Sequence, residues 1–382
     1  MAQWNRVPLI DYIELIGGGT PKTTVPEYWN GNIPWLSVKD FNNDKRYVYS
    51  TEKHISQSGF ENSPTKMLHK DDIIISARGT VGEIAMIPFD MAFNQSCYGI
   101  RASRGIDQPF LYYLLKNCIS QLKRMTHGSV FDTITRDTFA NIEVDIPDAE
   151  TQKRISSVLA DIDNKIEVND AINDNLHQQA ATLFKALFVD LTPFDGTMPP
   201  NWTISTLGDA TEMGAGGDKP KESSPVKTPL CPYPIYSNGI NDYGLYGYTN
   251  DPKIKVESVT VSARGTIGYV CLRHTPYVPI VRLVTLIPDT KVLSAKYLYL
   301  YLRQLHITGT GTTQQQLTVP DFRKTEIIIP DKNTMDSFTE TVTPLFEQIW
   351  ANEDENTKLA EVRDALLPKL MSGEIDVSDI QL

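Results

Sequence analysis

A long amphipathic helix pattern occurs twice in the chain, and this repeat constrains the fold more than any other feature. In residues 149–188, apolar side chains recur three and four positions apart, as in a coiled-coil seam. Adding 183 to these positions gives a second seam, and Asn169 and Asn173 recur as Asn352 and Asn356. A buried amide weakens a seam but fixes its register and partner, so the matched asparagines favour pairing of the two helices.

We therefore predict that the two helices pack against each other; two unrelated amphipathic helices are the alternative. At about 1.5 Å per residue, a helix of ~40 residues is a rod of roughly 60 Å. Pro368 indicates that the second helix ends or kinks there. The predicted helix-pairing residues are Ile155, Leu159, Ile162, Ile166, Asn169, Asn173 and Leu176 in the first helix, and Phe338, Val342, Leu345, Ile349, Asn352, Asn356 and Leu359 in the second.

The repeat extends beyond the helices. ISARGTVG at 75–82 is matched by VSARGTIG at 261–268, and ITRDTFANIEVDIPD at 134–148 by LTVPDFRKTEIIIPD at 317–331. An internal duplication in the order globular, helix, globular, helix follows. Short apolar runs bounded by turn residues, together with helix-length segments, predict an α+β fold with two pseudo-symmetric mixed units. The expected boundaries are 1–148, 149–192, 193–331 and 332–382.

The two globular parts differ most between their glycine-rich starts and the SARG motif. The first carries TTVPEYWNGNIPWLSVKDF with two tryptophans, and the second carries the tyrosine-rich YPIYSNGINDYGLYGYT. A duplicated frame with unlike loops is expected to bind two related but unequal targets.

The net charge of −11 argues at first against a polyanionic partner. By region, however, the charge is −2 for 1–148, −3 for 149–192, +1 for 193–331 and −7 for 332–382. Most of the negative charge therefore lies in the helical segments. The nearly neutral globular parts leave contact with DNA open.

Several classes of site lack sequence support. The four cysteines are scattered without C-x-x-C or paired histidine spacing, so we expect buried reduced thiols and no metal site. The sequence contains no Gly-Lys pair, which excludes a P-loop, and no Asn-Pro-Pro-aromatic or Asp-Pro-Pro-aromatic motif of amino-methyltransferases. Because these motifs and a nuclease carboxylate cluster are missing, we expect a non-catalytic chain. With no 18-residue apolar run and no signal-peptide pattern, we expect a cytoplasmic protein without membrane contact.

Candidate DNA-contacting residues come from loops rather than helices. The glycine-rich segments could cradle a phosphate, although a tight turn that exposes polar side chains is favoured. Arg78 and Arg264 could contact phosphate or pair with an internal carboxylate, and both interpretations stay open. Hydroxyl and amide side chains can read base edges. The candidates are Thr20, Lys22, Lys39, Arg78, Thr80, His127, Ser129, Lys219, Lys221, Ser237, Asn238, Arg264, Thr266, Thr312, Gln314 and Gln315.

These motifs together resemble the specificity (S) subunit of Type I restriction–modification enzymes over essentially the whole chain. GGGTPKTTVPEYWNGNIPWLSVKDF is similar to the start of a target-recognition domain, and TQKRISSVLADIDNKIEVNDAINDNLHQQAATLFKALFVDL to the central helical region of the family. YPIYSNGIN with GLYGYT resembles another recognition-domain variant, and LLPKLMSGEIDV resembles the distal end of the family's chains.

The resemblance implies an antiparallel pair of spacer helices between two target-recognition domains, each reading one half of a split site in double-stranded DNA. It also implies two methyltransferase (M) subunits on the helices and restriction-translocase (R) subunits for cleavage. S-adenosylmethionine, ATP and Mg would act on those partner subunits, and none in this chain. A pseudo-symmetric protein-binding scaffold is the alternative from another functional class.

Overall fold

The fold is taken from a computed structural model that describes residues 4–126, 133–309 and 316–380. The chain forms two compact units: unit 1 comprises Met1–Asn169 and Glu353–Leu382, and unit 2 comprises Asp170–Asn352. Each unit therefore combines one globular part with a portion of both long helices.

Unit 1 contains two four-stranded sheets and a two-stranded ribbon. Its strands are β1 (Asn5–Pro8), β2 (Ile13–Gly17), β3 (Trp29–Leu36), β4 (Lys53–Ile55), β5 (Met67–Leu68), β6 (Ile73–Ser76), β7 (Ile84–Met86), β8 (Met91–Phe93), β9 (Cys97–Ala102) and β10 (Glu143–Ile146). Its helices are α1 (Val38–Phe41), α2 (Gln57–Glu61), α3 (Gln108–Thr126), α4 (Arg136–Ala140) and the start of α5 (Ala149–Phe184). The sheets have the strand orders β2-β9-β6-β7 and β4-β3-β8-β5, and β1 pairs with β10.

Unit 2 repeats this arrangement. Its strands are β11 (Thr203–Thr206), β12 (Thr211–Ala215), β13 (Ser223–Ser224), β14 (Tyr233–Tyr236), β15 (Leu245–Thr249), β16 (Ser258–Val261), β17 (Val270–Arg273), β18 (Val278–Pro279), β19 (Val284–Pro288) and β20 (Glu326–Ile329). Its helices are α6 (Leu207–Ala210), α7 (Ala295–Gln304), α8 (Val319–Phe322) and the start of α9 (Lys332–Met371). The strand orders are β12-β19-β16-β17 and β13-β15-β14-β18, with β11 paired to β20.

The two units share one frame and differ at one edge. The first sheet and the ribbon have the same order in both units, and β3 runs parallel to β8 as β14 does to β18. The extra strand differs: β5 pairs with β8 in unit 1, whereas β13 pairs with β15 in unit 2. The predicted α+β duplication is confirmed, and the unlike loops correspond to this unlike edge.

Strand β6 shows how the apolar runs produce the core of unit 1. Ile73, Ile74 and Ile75 have no exposed surface. Because side chains alternate between the two faces of a strand, Ile73 and Ile75 enter one apolar cluster and Ile74 enters another. A strand buried on both faces gives a continuous apolar run rather than an alternating one.

Each long helix begins directly after an aspartate that lies two residues beyond the preceding strand. Asp148 accepts hydrogen bonds from the backbone N–H and hydroxyl of Thr151, each 3.0 Å long. Asp331 does the same with Thr334, at 3.2 and 2.7 Å, and accepts a further bond from the Trp202 indole. These hydrogen bonds lower the pKa of both carboxyl groups, because they favour the ionised form. Each carboxylate is therefore an N-cap for the helix that follows.

Within each unit the two long helices pack antiparallel. In unit 1, Asn169 Nδ2 donates to Asn356 Oδ1 at 2.9 Å, and Asp163 meets Arg363. In unit 2, Asn352 Nδ2 donates to Asn173 Oδ1 at 2.8 Å. Residue numbers fall along one helix as they rise along the other. Each asparagine therefore faces the repeat equivalent of the other asparagine on its own helix.

The buried stripe of each helix is broader than the predicted seam. Ile155, Leu159, Phe338, Val342 and Ile349 are buried, whereas Ile162, Ile166, Leu176, Leu345 and Leu359 are half-buried. Their neighbours Asp163, Phe184, Phe346 and Arg363 are buried instead. The helices pack on the globular parts as well as on each other. Apolar spacing alone does not predict the contact with the globular parts.

Of the two outcomes predicted at Pro368, the helix end is wrong, and the kink stays a prediction. Helix α9 continues to Met371 because Leu367, Leu370 and Met371 are buried in the core of unit 1. Pro368 itself is exposed, and its carbonyl accepts a hydrogen bond from Ser372 N–H at 3.0 Å. At the other helix, α5 continues past Phe184 as a π-helical turn over Lys185–Val189.

Three of the four cysteines are buried, and Cys231 is half-buried. Burial raises the pKa of Cys97 to about 12 and that of Cys118 to about 11, so both thiols stay protonated near neutral pH. Among the helices of the described residues, none combines the length and apolar character needed to cross a membrane.

The Asn173–Asn352 pair gives a stability prediction. We expect Asn352→Leu to destabilise the chain by ~1–3 kcal/mol, because Asn173 would be buried without its donor. The double variant Asn173→Leu/Asn352→Leu should recover most of this loss, since apolar groups would replace both partners. Asn175→Leu, at an exposed position of α5, is the control and should change stability by less than ~0.5 kcal/mol. Urea unfolding of the four proteins measures these differences; a double variant as unstable as the single one would contradict the prediction.

Candidate nucleic-acid interface

The SARG motif forms the same exposed turn in both units. Strands β6 and β16 lead into Arg78-Gly79-Thr80 and Arg264-Gly265-Thr266, and all six residues are exposed. Gly79 and Gly265 have φ values of +78° and +70°, a region that side-chain-bearing residues rarely adopt. Both glycines are open to solvent, because a Cβ added to either would have no heavy atom within 4 Å. The backbone conformation, rather than lack of space, therefore requires glycine at each tip.

Hydrogen bonds at the base fix the direction of each turn. Gly82 N–H donates to Ser76 O at 2.9 Å, and Gly268 N–H donates to Ser262 O at 3.0 Å. In unit 1 the Ser76 hydroxyl also donates to Thr80 O and accepts from Glu83 N–H. The arginine and threonine side chains thus project from a short turn with a hydrogen-bonded base rather than from a long loop.

In unit 1, residues 93–96 connect the glycine-rich segment to this turn. Gly19 N–H donates to Phe93 O at 2.9 Å, and the Thr20 hydroxyl donates to Gln95 Oε1. The N–H groups of Ala77 and Arg78 both donate to Ser96 O, at 2.8 and 3.2 Å. Thr20 and Arg78 therefore belong to one surface of unit 1.

The two tryptophans donate hydrogen bonds to backbone carbonyls of the glycine-rich segment. Trp35 Nε1 donates to Gly19 O at 3.1 Å, and Trp29 Nε1 donates to Lys22 O at 3.3 Å. Their rings meet edge to face at 5.2 Å, with Trp35 buried and Trp29 half-buried. Lys22 is exposed beyond them. Lys39 is also exposed and lies on α1, directly after strand β3. Leu36, the last residue of β3, accepts a hydrogen bond from Asn94 N–H.

Unit 2 makes the same connection with different residues. Asn238 Oδ1 accepts from Ala263 N–H at 2.7 Å, and Asn238 Nδ2 donates to Val281 O at 2.6 Å. Val281 N–H in turn donates to Gly217 O at 2.9 Å. The amide of Asn238 is thus engaged at both ends and holds the Arg264 turn in place. Arg264 Nη2 donates to Gln316 Oε1 at 3.0 Å.

The glycine-rich segments are close-packed turns. Gly19 and Gly216 donate their N–H groups to the carbonyls of Phe93 and Leu283, so these donors are already used. A Cβ on Gly18 would lie 2.1 Å from Asn94 O, and one on Gly216 would lie 2.7 Å from Ile280 N. This geometry favours the tight-turn interpretation over an anion nest.

The tyrosine-rich loop of unit 2 exposes several rings. Tyr243 and Tyr246 are about half exposed, and Lys219 Nζ lies 5.2 Å from the Tyr246 ring centroid. Lys221 is exposed, and Ser237 is half-buried with its N–H bonded to Gly244 O. Tyr236 packs under the Arg273 guanidinium at 3.6 Å, and burial raises the pKa of its hydroxyl. Lys219 and Tyr246 thus form a cation–π pair on the surface of unit 2.

Five candidates, His127, Ser129, Thr312, Gln314 and Gln315, lie outside the described residues. Within the described ranges, no group of three or more His, Cys, Asp or Glu side chains is placed to hold a metal ion.

Comparison with known proteins decides the family. The profile of the Type I restriction modification DNA specificity domain matches residues 1–178 and 199–361, which is most of the chain. The chain belongs to this specificity family. It is 28% identical to the Type I restriction enzyme MjaIX specificity subunit of Methanocaldococcus jannaschii, over 99% of this chain and 94% of that protein. It is 26% identical to the HindI specificity subunit of Haemophilus influenzae, over 70% of this chain and 77% of that protein.

The fold agrees with that assignment. A crystal structure of the S subunit of a Type I system from M. genitalium aligns with a TM-score of 0.57 at 15% identity, covering 97% of this chain and 96% of that chain. The resemblance of the motifs to Type I specificity subunits is therefore confirmed, and the scaffold alternative is not favoured.

The structure adds residues to the candidate surface of this specificity subunit that the sequence analysis missed. Gln95 in unit 1 and Val281 and Arg282 in unit 2 are exposed beside the two Arg-Gly-Thr turns. Val281 and Arg282 have φ values of +52° and +63°, which is unusual for any residue other than glycine and most of all for a β-branched one. The repeat offset of 186, which relates Gln95 to Val281, is the sequence signal that could have identified this loop.

Proposed function

We propose that this chain is the DNA-recognition subunit of a Type I restriction–modification complex, and that each globular part reads one half of a bipartite site. One observation carries the proposal: two Arg-Gly-Thr turns with the same geometry stand on a duplicated frame, beside loops of unlike chemistry. The common turns suit the phosphate backbone, which is the same in every sequence. The unlike loops suit base edges, which differ between half-sites.

The proposed contacts use exposed and half-buried groups described above. Arg78, Arg264, Lys22, Lys39, Lys219 and Lys221 would neutralise phosphates, and Thr20, Thr80, Thr266 and Ser237 would add hydrogen bonds. The tyrosines and Gln95 are candidates for base contacts, as are the residues near 127–129 and 312–315. Asn238 would act through the turn that it holds, because both ends of its amide are already bonded.

The proposed domain boundaries follow the fold and the charge. Residues 1–148 and 193–331 would be the target-recognition domains, and 149–192 and 332–382 the spacer helices with the C-terminal tail. The helical segments carry −10 of the net charge of −11, which makes them poor DNA ligands and better suited to protein partners.

We assign the catalytic chemistry to other subunits. Two methyltransferase subunits would dock on the helices and transfer methyl groups from S-adenosylmethionine to adenine, and restriction-translocase subunits would use ATP and Mg. This chain would contribute no catalytic group and would act in the cytoplasm, where the DNA lies. Its part would be to select the sequence and orient the complex upon it.

The methylome of a strain carrying the complete system tests the proposal. We expect one bipartite, non-palindromic motif that disappears when this gene is deleted, because unlike loops should read unlike half-sites. Deletion of a methyltransferase gene is the matched control and should remove the same motif. A perfectly palindromic motif, or methylation that persists without this chain, would contradict the proposal.

Salt dependence tests the phosphate contacts. We expect Arg78→Ala to weaken binding of the assembled complex to all sequences alike and to reduce the slope of log K against log[salt] by ~0.9. Lys70→Ala is the charge-matched control, because exposed Lys70 precedes β6 whereas Arg78 follows it at the other end of the strand. Fluorescence anisotropy over a salt series measures both slopes. Equal slopes for the two variants would show that Arg78 makes no phosphate contact.

Helix length should set the gap between half-sites. Seven residues inserted between 169 and 173, with seven more between 352 and 356, would lengthen both helices by ~10 Å. At ~3.4 Å per base pair, the gap should grow by about three base pairs while the half-sites stay the same. Seven residues are two helical turns and preserve the seam. Methylome sequencing gives the result, and altered half-sites at an unchanged spacing would refute the role of the helices as spacers.

A further inference from the structure

The asparagine pairs alone cannot tell the two long helices apart. Asn169 faces Asn356, and Asn173 faces Asn352. Because Asn352 is the repeat equivalent of Asn169, and Asn356 that of Asn173, helix α5 could face α5 of a second copy and still pair Asn169 with Asn173. Connection in one chain favours α5 against α9. Any further preference over like-with-like pairing has to come from other seam residues.

Unit 1 contains a buried charge pair that the repeat does not reproduce. Arg363 Nη1 lies 2.9 Å from Asp163 Oδ1, and both side chains are only 4% exposed. Tyr113 OH donates to the other carboxylate oxygen of Asp163 at 2.7 Å, and Asp44 accepts from Arg363 Nη2 at 2.9 Å. Both charges are therefore fully compensated inside unit 1.

The equivalent positions in unit 2 are apolar. The offset of 183 relates Asp163 to Phe346 and Arg363 to Ala180. Phe346 is 1% exposed, Ala180 has no exposed surface, and both belong to the core of unit 2. Tyr299, related to Tyr113 by the offset of 186, packs on Phe346 with ring centroids 5.8 Å apart. One site is ionic and its counterpart is aromatic, although the surrounding frame is the same.

We propose that the Asp163–Arg363 pair selects the partner of each long helix, so that α5 accepts α9 and rejects a second α5. In like-with-like pairing, Asp163 would face Ala180 of the other copy, and Arg363 would face Phe346 of the other copy. The first contact removes the counter-charge of buried Asp163. The second removes Asp163 from buried Arg363 and leaves it paired with the exposed Asp364 on its own helix. Burying a charge without its partner is strongly unfavourable. A single polar or charged seam position is known to specify helix partners in this way. The native chain avoids both mismatches because the ionic partners meet in unit 1 and the apolar partners meet in unit 2.

The inference does not depend on the proposed DNA function, since it concerns which helix surfaces fit each other. It predicts that removing the difference between the two sites removes the discrimination. The direct change is Asp163→Phe/Arg363→Ala, which copies the apolar pair of unit 2 into unit 1. The matched control is Asp163→Asn/Arg363→Gln, which changes the same two positions but keeps the polar mismatch in like-with-like pairing.

A disulfide between two copies reports like-with-like pairing. Two differently tagged full-length chains, one carrying Asn169→Cys and the other Asn173→Cys, are unfolded together in urea, refolded and oxidised. The two introduced thiols would meet only if α5 of one copy faces α5 of the other, because position 169 faces position 356 whenever α5 faces α9. Affinity capture through both tags and mass spectrometry of the linked peptides then quantify the cross-link.

We expect the 169–173 cross-link at background level in the otherwise native pair and in the Asp163→Asn/Arg363→Gln pair. It should increase at least several-fold in the Asp163→Phe/Arg363→Ala pair. A grafted pair that refolds without an increase would overturn the proposal, as would an equal increase in the control.

A mirror graft covers the case in which the first graft does not fold. Ala180→Arg/Phe346→Asp places an ionic pair in unit 2, so that Asp163 would face the arginine introduced at position 180 of a second copy. This variant should also increase the yield of the 169–173 cross-link, although it adds an ionic pair where the first graft removes one. If neither graft refolds while the control does, the pair serves folding rather than partner choice, and the proposal fails.

Discussion

The asparagine pair in each unit is the interaction on which the rest of the structure depends. Asn169, Asn173 and Asn352 are buried, and Asn356 is half-buried. Asn169 with Asn356, and Asn173 with Asn352, fix the register of α5 against α9 in units 1 and 2. A shift by one helical turn would leave buried amides without partners, at a cost of about 1–3 kcal/mol for each. Each globular part is attached to these helices. The position of its Arg-Gly-Thr turn along the helix pair therefore depends on the helix register.

The fold could be predicted from the sequence because its determinants repeat. Two seams, two SARG motifs and two strand-to-helix junctions indicated the duplicated α+β architecture, and the structure and the family confirm it. The exact buried stripe could not be predicted in the same way. Asp163 and Arg363 are buried because Tyr113 and Asp44 come from a distant part of the chain to satisfy them. A rule based on apolar spacing assigns a charged residue such as Asp163 to the surface. Likewise Pro368 does not end α9, because burial of the residues around it outweighs the missing N–H.

The candidate interface was predictable only in part, and its residues stay a proposal. The glycines of the Arg-Gly-Thr turns could be identified because the motif occurs twice and the turn needs a positive φ. The loop at Val281 and Arg282 could not, because neither residue type favours the conformation that it adopts. Asn238 illustrates the opposite case: its residue type suits base reading, but its amide is used inside unit 2. Only tertiary contacts distinguish an amide that supports a loop from one that is available to a ligand.

The edge strand that differs between the two units has an evolutionary consequence. Both second sheets share a three-stranded centre, and the fourth strand joins it on one side as β5 and on the other side as β13. An extra strand can thus pair with either edge of that centre, while the first sheet of the unit keeps its strand order. Under the proposed function, recombination that exchanges these loops would change the target in a single step, while the inherited platform and its helix junctions remain intact.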